Sequence, residues 1–442
     1  MGEKTCAFIT LGCKVNQYDT EAVREQILSL GGYREVPADQ PADVYVVNTC
    51  TVTSISDSKG RKLIRRVARQ NPGARVVVTG CSVDSDPALA AKLHGCPNLI
   101  IVPNNAKLSI PALLENGAFP HFPQRKNGDS PHFSDTWDAG ISRFEGHTRA
   151  FIKIEDGCRN FCAYCIVPYV RGPVRSRPMQ SIVDEARRLA DTGFREIVIT
   201  GIHVGAYGQD AIGGDLAEVV TALDRIDGIR RLRLSSIEAM EVTDRLIELA
   251  TGSKLCPHFH LPLQSGSDAV LARMNRRYTA RQFVSVIERI EKRIPQASCT
   301  TDVLLGFPGE TEQDYLATEA VCVDVGFSRT HIFPYSERPG TAAAAMAGKC
   351  PGSVIADRKA RMAAVARTTA LAYKNRFAGR EAEVLVESER DPSGKLCGYT
   401  DRYIRVLFDG PDRLMGGLAT VTLEKARHDW MGGVMSGVMS DE

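Results

Sequence analysis

Short apolar runs alternate with amphipathic segments along most of this sequence, and this alternation restricts the possible folds more than any other feature. Four runs lie in the N-terminal part: CAFITLG, DVYVVNTC, ARVVVTGC and LIIVP. Six more come later: RAFIKIE, REIVITG, RRLRLSS, HFHLPLQ, TTDVLLGF and RTHIFPY. Alternating strands and helices predict parallel sheets covered by helices. We therefore predict an α/β protein with an N-terminal doubly wound parallel sheet and a central (β/α)6 partial TIM barrel.

The pattern divides the chain into domains. We predict an N-terminal domain at residues 1–118, a linker rich in Gly, Pro and Ser at 119–148, and the partial barrel at 149–378. Residues 379–442 carry short strand-like runs separated by the turn sequences DPSG and DGPD, which predict a small β-barrel. The last segment, MGGVMSGVMSDE, is predicted to be a flexible tail.

Composition indicates a globular protein, and the types of segment present predict its location. Hydrophobic residues make up 43% of the chain and charged residues 24%, which is ordinary for a globular protein. We find no signal-like segment and no apolar run of membrane length, so we expect a cytoplasmic location and no membrane partner. In that reducing compartment, the thirteen cysteines are better explained as metal ligands, catalytic thiols or buried small residues than as disulfides.

Six of the cysteines form two groups of three. Cys13, Cys50 and Cys81 each follow a predicted strand of the N-terminal domain. Because the carboxyl ends of parallel strands share one edge of a sheet, we expect these three thiols to lie together. The second group lies on the loop after the first barrel strand, in the stretch EDGCRNFCAYC; its members are Cys158, Cys162 and Cys165.

The second group suits a metal centre. A structural zinc site needs a fourth ligand, which this loop does not supply but another part of the chain can. An iron-sulfur cube held by three thiolates has one open iron, which is available to a substrate. The residues alone leave zinc as an alternative.

The CxxxCxxC spacing, with an aromatic residue before the last cysteine, resembles the signature of radical S-adenosylmethionine (SAM) enzymes. The wider sequence resembles the methylthiotransferases of that superfamily from residue 10 to residue 376. Their motifs occur here in the same order: LGCKVNQYDTE, VVNTCTVT, VTGC, DGCRNFCAYCIVPYVRG, TGIHVGAYG, LSSIE, HLPLQSGS, MNRRYT, TDVLLGFPGET and FPYSERPGT. The final β segment resembles the family's TRAM domain.

The resemblance implies two [4Fe-4S] clusters, one for each group of cysteines, and S-adenosyl-L-methionine as cofactor. One SAM molecule would methylate a cluster-bound sulfur, and a second would yield the radical that removes hydrogen from an unactivated carbon. No side chain is expected to act as an acid or base on that carbon, because its C–H bond is too weakly acidic. The resemblance places Tyr164, Thr200 and Gly201 at the cofactor.

Four further polar residues end barrel strands, where ligand contacts are common, and are also expected at the cofactor: Ser235, Ser236, Glu238 and Gln264. Histidines also lie near strand ends, but lone histidines are more often packed or hydrogen-bonded, and we assign them no role. These are His203, His258, His260 and His331.

Within the family, LGCKVNQYDTE and FPYSERPGT most resemble the branch that modifies carbon 2 of N6-threonylcarbamoyladenosine next to the tRNA anticodon. The alternatives are N6-isopentenyladenosine of tRNA and an aspartate of a ribosomal protein. An alternative of another class is a non-catalytic, metal-containing RNA-binding protein. One departure is Ser82, which stands where the family often has an aromatic residue and is expected to alter the surroundings of the N-terminal cluster.

Basic residues suggest an RNA surface. Residues 59–75 contain seven basic and no acidic side chains, as a helix facing phosphates would, although a solvated helix face looks the same. Six further arginines are expected to add positive charge on the barrel's side of the molecule: Arg171, Arg175, Arg177, Arg273, Arg276 and Arg277. The candidate RNA contacts are Lys59, Arg61, Lys62, Arg65, Arg66 and Arg69. The implied partners are tRNA, a sulfur donor and an electron donor such as a flavodoxin or ferredoxin system.

Overall fold

The computed structural model describes residues 3–86, 88–117, 137 and 140–438. Most of the predicted linker lies outside these ranges. The chain forms two compact units. The first, here called the N-terminal unit, consists of Met1–Ile141, Glu155–Arg177 and Ser336–Ala344. The second, the barrel unit, consists of Ser142–Ile154, Pro178–Tyr335 and Ala345–Glu442. The predicted domain boundaries remain predictions.

A five-stranded parallel sheet forms the centre of the N-terminal unit, as predicted. Its strands are β1 (Lys4–Thr10), β2 (Tyr33–Glu35), β3 (Val44–Thr49), β4 (Arg75–Gly80) and β5 (Leu99–Ile101). They lie in the order β2-β1-β3-β4-β5. The short strand β2 was not predicted. All six residues of β3 are buried, which is typical of a central parallel strand covered on both faces.

Helices cover both faces of this sheet. They are α1 (Lys14–Ser29), α2 (Ser54–Gln70), α3 (Cys81–Ser85), α4 (Leu89–Lys92) and α5 (Ile110–Asn116). One apolar core joins Ile27 of α1 to Val46 of β3. The other joins Ile64 of α2 to Tyr45 and Val47 of the same strand. Successive strand residues point to opposite faces, so β3 contributes to both cores and the sheet is doubly wound.

Residues 155–177 of the N-terminal unit form a loop closed by a small antiparallel ladder. Strand β7 (Glu155–Asp156) pairs with β8 (Arg175–Ser176), and α6 (Val167–Arg171) lies between them. Cys158, Cys162 and Cys165 are carried on this loop.

Six parallel strands form the partial barrel, one for each predicted run. They are β6 (Ala150–Lys153), β9 (Glu196–Thr200), β10 (Arg231–Leu234), β11 (His258–His260), β12 (Ser298–Leu305) and β13 (Arg329–Pro334). The strands pair in two groups of three, and isolated bridges, including Ser236 to His260, join the groups. The predicted partial barrel is therefore confirmed.

Helices connect the barrel strands: α7 (Met179–Asp191), α8 (Leu216–Asp224), α9 (Asp244–Gly252), α10 (Asp268–Arg273), α11 (Ala280–Arg293) and α12 (Glu312–Val325). Helix α13 (Gly352–Asn375) follows the last barrel strand and leads to the C-terminal segment. Capping boxes begin two of them, with Thr279 and Thr311 accepting a hydrogen bond from the backbone N–H three residues later. Within the part of the chain that the structure describes, every helix is too short or too polar to span a bilayer.

The C-terminal segment forms the predicted β-barrel, closed by five strands. They are β14 (Glu381–Val386), β15 (Leu396–Thr400), β16 (Arg405–Phe408), β17 (Leu418–Ala426) and β18 (Met431–Val438), in the order β14-β15-β16-β18-β17. Its core includes Val384, Phe408 and Val421.

The prediction of a flexible tail from Met431 is wrong for most of that segment. Strand β18 lies between β16 and β17 and closes the barrel, with Met431 fully buried. The sequence did not predict this strand because its glycines disfavour strand conformation. In the barrel they are needed: a Cβ on Gly433 would lie 2.3 Å from Cγ1 of Val421. Residues 439–442 lie outside the described ranges.

Candidate functional site

The structure brings Cys13, Cys50 and Cys81 to one edge of the N-terminal sheet. Cys13 precedes α1, Cys50 follows β3 and Cys81 begins α3. In the strand order 2-1-3-4-5, the crevice between the ends of β1 and β3 is the usual ligand site. Gly12 adopts a φ of +114°, and a Cβ there would lie 2.9 Å from Cys50 Sγ. Glycine thus lets the Cys13 loop approach Cys50 closely.

Asn16 ties these loops together. Its buried side-chain amide donates hydrogen bonds to the carbonyl oxygens of Leu11 and Thr49, both at 2.9 Å. Its Oδ1 lies 4.0 Å from Cys81 Sγ, within reach of a weak S–H donor. The loops after β1, β3 and β4 therefore share one buried hydrogen-bonding centre.

Burial keeps two of these thiols neutral in the metal-free protein. Loss of solvation raises the pKa of Cys50 to about 11, and the neighbouring Cys81 and Cys13 add to this. Burial also raises the pKa of Cys81, while the positive charge of Arg171 opposes the shift. A metal binds the thiolate, so binding would displace these protons. Three sulfur donors that meet at one sheet edge suit an iron-sulfur cluster with an open iron.

The second group of cysteines lies on a tightly folded loop. Gly157 has a φ of +95°, and a Cβ there would lie 2.0 Å from the carbonyl oxygen of Pro173. The backbone N–H of Asn160 points at Cys158 Sγ, at 3.5 Å. Hydrogen bonds of this kind adjust the potential of thiolate-bound clusters. Phe161 adopts a φ of +45°, a strained conformation that is often kept at functional sites.

All three cysteines of this loop are partly exposed, so their sulfurs are within reach of a ligand. Tyr164, between Cys162 and Cys165, is also partly buried. The loop offers three sulfur ligands and one backbone N–H that can donate a hydrogen bond to a sulfur. This arrangement fits a cluster held by three thiolates.

Arg171 was expected to add positive charge on the barrel's side, but it is buried in the N-terminal unit, where its charge is paired with carboxylates. Its side chain is only 1% exposed, and Arg177 is also fully buried. The guanidinium of Arg171 binds both carboxylate oxygens of Asp156 at 3.0 Å and Oδ1 of Asn16 at 2.6 Å. It also contacts Asp19 Oδ2 at 3.4 Å. Arg171 thus joins the Cys158 loop to the helix after Cys13.

Arg338 lies in the motif FPYSERPGT, but the sequence analysis assigned it no role. Its Nη2 lies 2.5 Å from both Thr51 Oγ1 and Asp57 Oδ2. Thr51 directly follows Cys50. Its position directly before Pro-Gly in that motif was the sequence signal that could have pointed to it.

Ser82 takes part in the same network. Its hydroxyl lies 2.6 Å from the carbonyl oxygen of Cys50 and 3.1 Å from Asp57 Oδ1. A small polar side chain here links the Cys81 and Cys50 loops.

The predicted cofactor contacts of the barrel unit lie at the carboxyl ends of β9, β10 and β11. Thr200 ends β9, and Gly201 comes directly after it. The Ser235 hydroxyl is buried and makes no hydrogen bond to any residue that the structure describes. An unsatisfied buried hydroxyl is costly, which suggests that a ligand completes it. Ser236 is exposed beside it.

Gln264 and Glu238 differ in their surroundings. Gln264 adopts a φ of +64° while its backbone pairs with β12, a strained geometry of the kind found at ligand sites. Both carboxylate oxygens of Glu238 are held by Arg276, at 2.9 and 2.7 Å. Because both of its oxygens already accept hydrogen bonds, Glu238 has fewer free acceptor positions for a ligand.

The basic residues of α2 divide into two sets. Lys59, Lys62, Arg66 and Arg69 are exposed, and their spacing places them on one face of the helix. We call them the α2 stripe. Arg61 and Arg65 are partly buried, and Arg65 donates to the carbonyl oxygen of Lys92.

Comparisons with known proteins agree with this architecture. The model of the Radical SAM superfamily matches residues 152–320, and that of the uncharacterized protein family UPF0004 matches residues 5–101. Among solved structures, the radical S-adenosylmethionine methyltransferase TsrM from Kitasatospora setae superimposes with a TM-score of 0.57. It is 15% identical and covers 78% of this chain and 77% of its own, which shows a shared fold.

Curated relatives match nearly the whole chain. The threonylcarbamoyladenosine tRNA methylthiotransferase MtaB of Bacillus subtilis is 38% identical over 99% of this chain and 98% of its own. MtaB of Chlamydia pneumoniae is 38% identical over 96% of this chain and 95% of its own. The tRNA-2-methylthio-N(6)-dimethylallyladenosine synthase of Desulfitobacterium hafniense is 35% identical over 96% of this chain and 95% of its own. These relatives are enzymes, which argues against the non-catalytic alternative. This chain therefore belongs to the radical SAM methylthiotransferase family.

Proposed function

We propose that this enzyme inserts a methylthio group at carbon 2 of N6-threonylcarbamoyladenosine next to the anticodon of tRNA. The observation that carries the proposal is the near-complete match to relatives named for that reaction, at 38% identity. The alternative substrate is the N6-isopentenyl (dimethylallyl) adenosine of tRNA, supported by the relative at 35% identity.

We infer that each group of cysteines holds one [4Fe-4S] cluster. The donors are thiols, each group supplies three, and each is supported by close-fitting glycines and hydrogen bonds. When bound, the clusters and SAM would supply the one-electron chemistry and a place to hold the sulfur atom that is transferred, which protein side chains lack. The protein contributes binding, orientation and local charge.

Arg171 is inferred to position the two cysteine loops and to favour thiolate at Cys81. Its charge lowers the pKa of Cys81 against the effect of burial, and a nearby cation is a common means of stabilising thiolate. Its ion pair with Asp156 anchors the base of the Cys158 loop.

In the barrel unit, the Ser235 hydroxyl and the Gln264 amide are inferred to bind polar groups of SAM, together with Thr200 and Gly201. Tyr164 is inferred to lie beside the adenine. The unsatisfied Ser235 hydroxyl and the strained backbone of Gln264 support the first two assignments. Those of Thr200, Gly201 and Tyr164 rest on the resemblance to the family.

The α2 stripe is the inferred contact for the tRNA backbone. None of its four side chains makes an ion pair with another described residue, so their charges are available to phosphate. The reaction also needs an electron and a sulfur atom, and we expect a flavodoxin or ferredoxin system and a separate sulfur donor as partners.

Nucleoside mass spectrometry tests the substrate. Cells that lack this protein should lose the methylthio derivative of N6-threonylcarbamoyladenosine from tRNA, and expression of the intact chain should restore it. Loss of the methylthio derivative of N6-isopentenyladenosine instead would select the alternative substrate.

A further inference from the structure

The barrel unit contains a cluster of ligating side chains to which the reaction assigns no role. His260, Asp302 and His331 lie on the adjacent strands β11, β12 and β13. One ligand atom from each lies within 4.8 Å of the others. His260 Nε2 is 3.2 Å from Asp302 Oδ1. The parallel register places Asp302 opposite His331, so their side chains share a face of the sheet.

This face remains accessible. The alternate residues Leu261, Thr301 and Val303 are fully buried and point to the opposite face. By contrast, the side chains of His260 and Asp302 are 16% and 23% exposed. A cavity of about 600 Å³ borders the cluster and is lined by His331, Thr300, Phe333, Lys374, Arg402 and Tyr403 among others. An ion could reach the cluster through it.

The hydrogen bond of His260 suits a metal ligand. Its Nδ1 lies 2.8 Å from Thr300 Oγ1. When Nδ1–H donates to that hydroxyl, the lone pair of Nε2 faces Asp302. Metal-binding histidines usually donate their second ring nitrogen to such a partner, which fixes the tautomer and the ring orientation.

We propose that His260, Asp302 and His331 form a binding site for one divalent transition-metal ion. Two imidazoles and one carboxylate are the donor set with which zinc and non-haem iron(II) sites keep positions open. The 3.2 Å between His260 Nε2 and Asp302 Oδ1 suits neighbouring ligands, each about 2.1 Å from one ion. The remaining positions would take oxygen ligands. The site uses none of the six cysteines of the two predicted clusters.

Manganese(II) binding tests the proposal, because this ion prefers nitrogen and oxygen to sulfur ligands. The full chain, reconstituted anaerobically with iron and sulfide and freed of loose metal with a chelating resin, is titrated with Mn²⁺. Binding removes the six-line electron paramagnetic resonance signal of the free ion. We expect one Mn²⁺ per chain, displaced by equimolar Zn²⁺, and at least a tenfold loss of affinity in Asp302→Asn and His331→Ala.

His203→Ala is the matched control, because His203 also pairs with a carboxylate, Glu241, at 2.7 Å. It should bind Mn²⁺ as the unchanged chain does. In the unchanged chain, pulsed electron paramagnetic resonance should show coupling of bound Mn²⁺ to imidazole nitrogen. This test of histidine coordination does not depend on whether a variant folds. The proposal is overturned if one equivalent of Mn²⁺ per chain leaves the six-line signal undiminished, if bound Mn²⁺ shows no imidazole coupling, or if well-folded Asp302→Asn binds with undiminished affinity.

Discussion

At the scale of single residues, Arg171 connects the two cysteine loops. Its guanidinium is buried among Asp156, Asp19 and Asn16. Burial alone would lower the pKa of Arg171, but the negative charges of Asp156 and Asp19 raise it well above its ordinary range. Without Arg171, Asp19 keeps its ion pair with Lys107, whereas Asp156 keeps Arg175 at 3.9 Å but stays buried without its principal partner.

Arg171→Leu should therefore lower the free energy of unfolding by about 3–5 kcal/mol, because it leaves Asp156 buried without its principal partner. Chemical denaturation of the metal-free chain measures the change. The exposed Arg187, paired with Asp184 on the surface, provides the control, and Arg187→Leu should cost about 0–1 kcal/mol. Equal effects of the two changes would contradict the anchoring role of Arg171.

Ser235 offers a test of cofactor binding that separates function from stability. Its hydroxyl has no hydrogen-bond partner among the described residues, so Ser235→Ala should change stability by less than about 0.5 kcal/mol. Loss of one hydrogen bond to SAM, about 1 kcal/mol, should weaken SAM binding roughly fivefold. Equilibrium dialysis with SAM measures the affinity. Ser285→Ala, on the exposed face of α11, should leave it unchanged; unaltered affinity in Ser235→Ala would remove Ser235 from the site.

At the scale of elements, α2 presents one apolar and one basic face. Ile64, Val67 and Ala68 are buried against the sheet, while the α2 stripe is exposed. The helix thus has a packed side that fixes its position and a charged side that is free for a partner.

The double variant Arg66→Glu and Arg69→Glu should weaken tRNA binding and reduce its salt dependence. Each lost phosphate contact lowers the slope of log affinity against log salt by roughly 0.7–0.9. Filter binding at several salt concentrations measures this slope. Lys292→Glu with Lys359→Glu changes the net charge equally on exposed helix positions outside α2. If this control pair alters the slope as much, the α2 stripe is not the contact.

Strand β18 gives a second test at this scale. Removing residues 431–442 takes out the strand that pairs with both β16 and β17, and exposes a core that includes Met431. We expect the C-terminal barrel to unfold at lower temperature and to become sensitive to protease. Removal of 439–442 alone should have little effect, so equal protease sensitivity of the two truncations would contradict the pairing.

At the scale of the whole molecule, both groups of cysteines belong to the N-terminal unit, although they come from separate parts of the chain. Because the two groups share no cysteine, we expect that the loss of one inferred cluster leaves the other in place.

Cys158→Ala and Cys50→Ala should each retain about four of about eight iron atoms, because each variant loses one cluster. Cys158→Ala should stop reductive cleavage of SAM. Cys50→Ala should leave that cleavage measurable while it blocks the methylthio product. Iron and sulfide analysis, with chromatography of the cleaved SAM, measures both effects. Identical behaviour of the two variants would refute the division of roles, and zinc without sulfide would refute the clusters.

Much of the fold could be predicted because its signals are local. Alternating apolar runs located all six strands of the partial barrel and every strand of the N-terminal sheet except β2, which has only three residues. Strand ends also indicated that Cys13, Cys50 and Cys81 would meet, since the loops after parallel strands begin at one edge of the sheet.

Other features depend on residues that are far apart in the sequence. Arg338 and Asp57 meet across 281 positions, and Arg171 and Asn16 across 155. Strand β18, rich in glycine, becomes a strand because β16 and β17 offer it unpaired edges. Periodicity and motif spacing report the conformational preferences and chemistry of neighbouring residues. Buried ion pairs, barrel closure and the His260–Asp302–His331 cluster arise from packing between distant segments, which becomes visible in the folded chain.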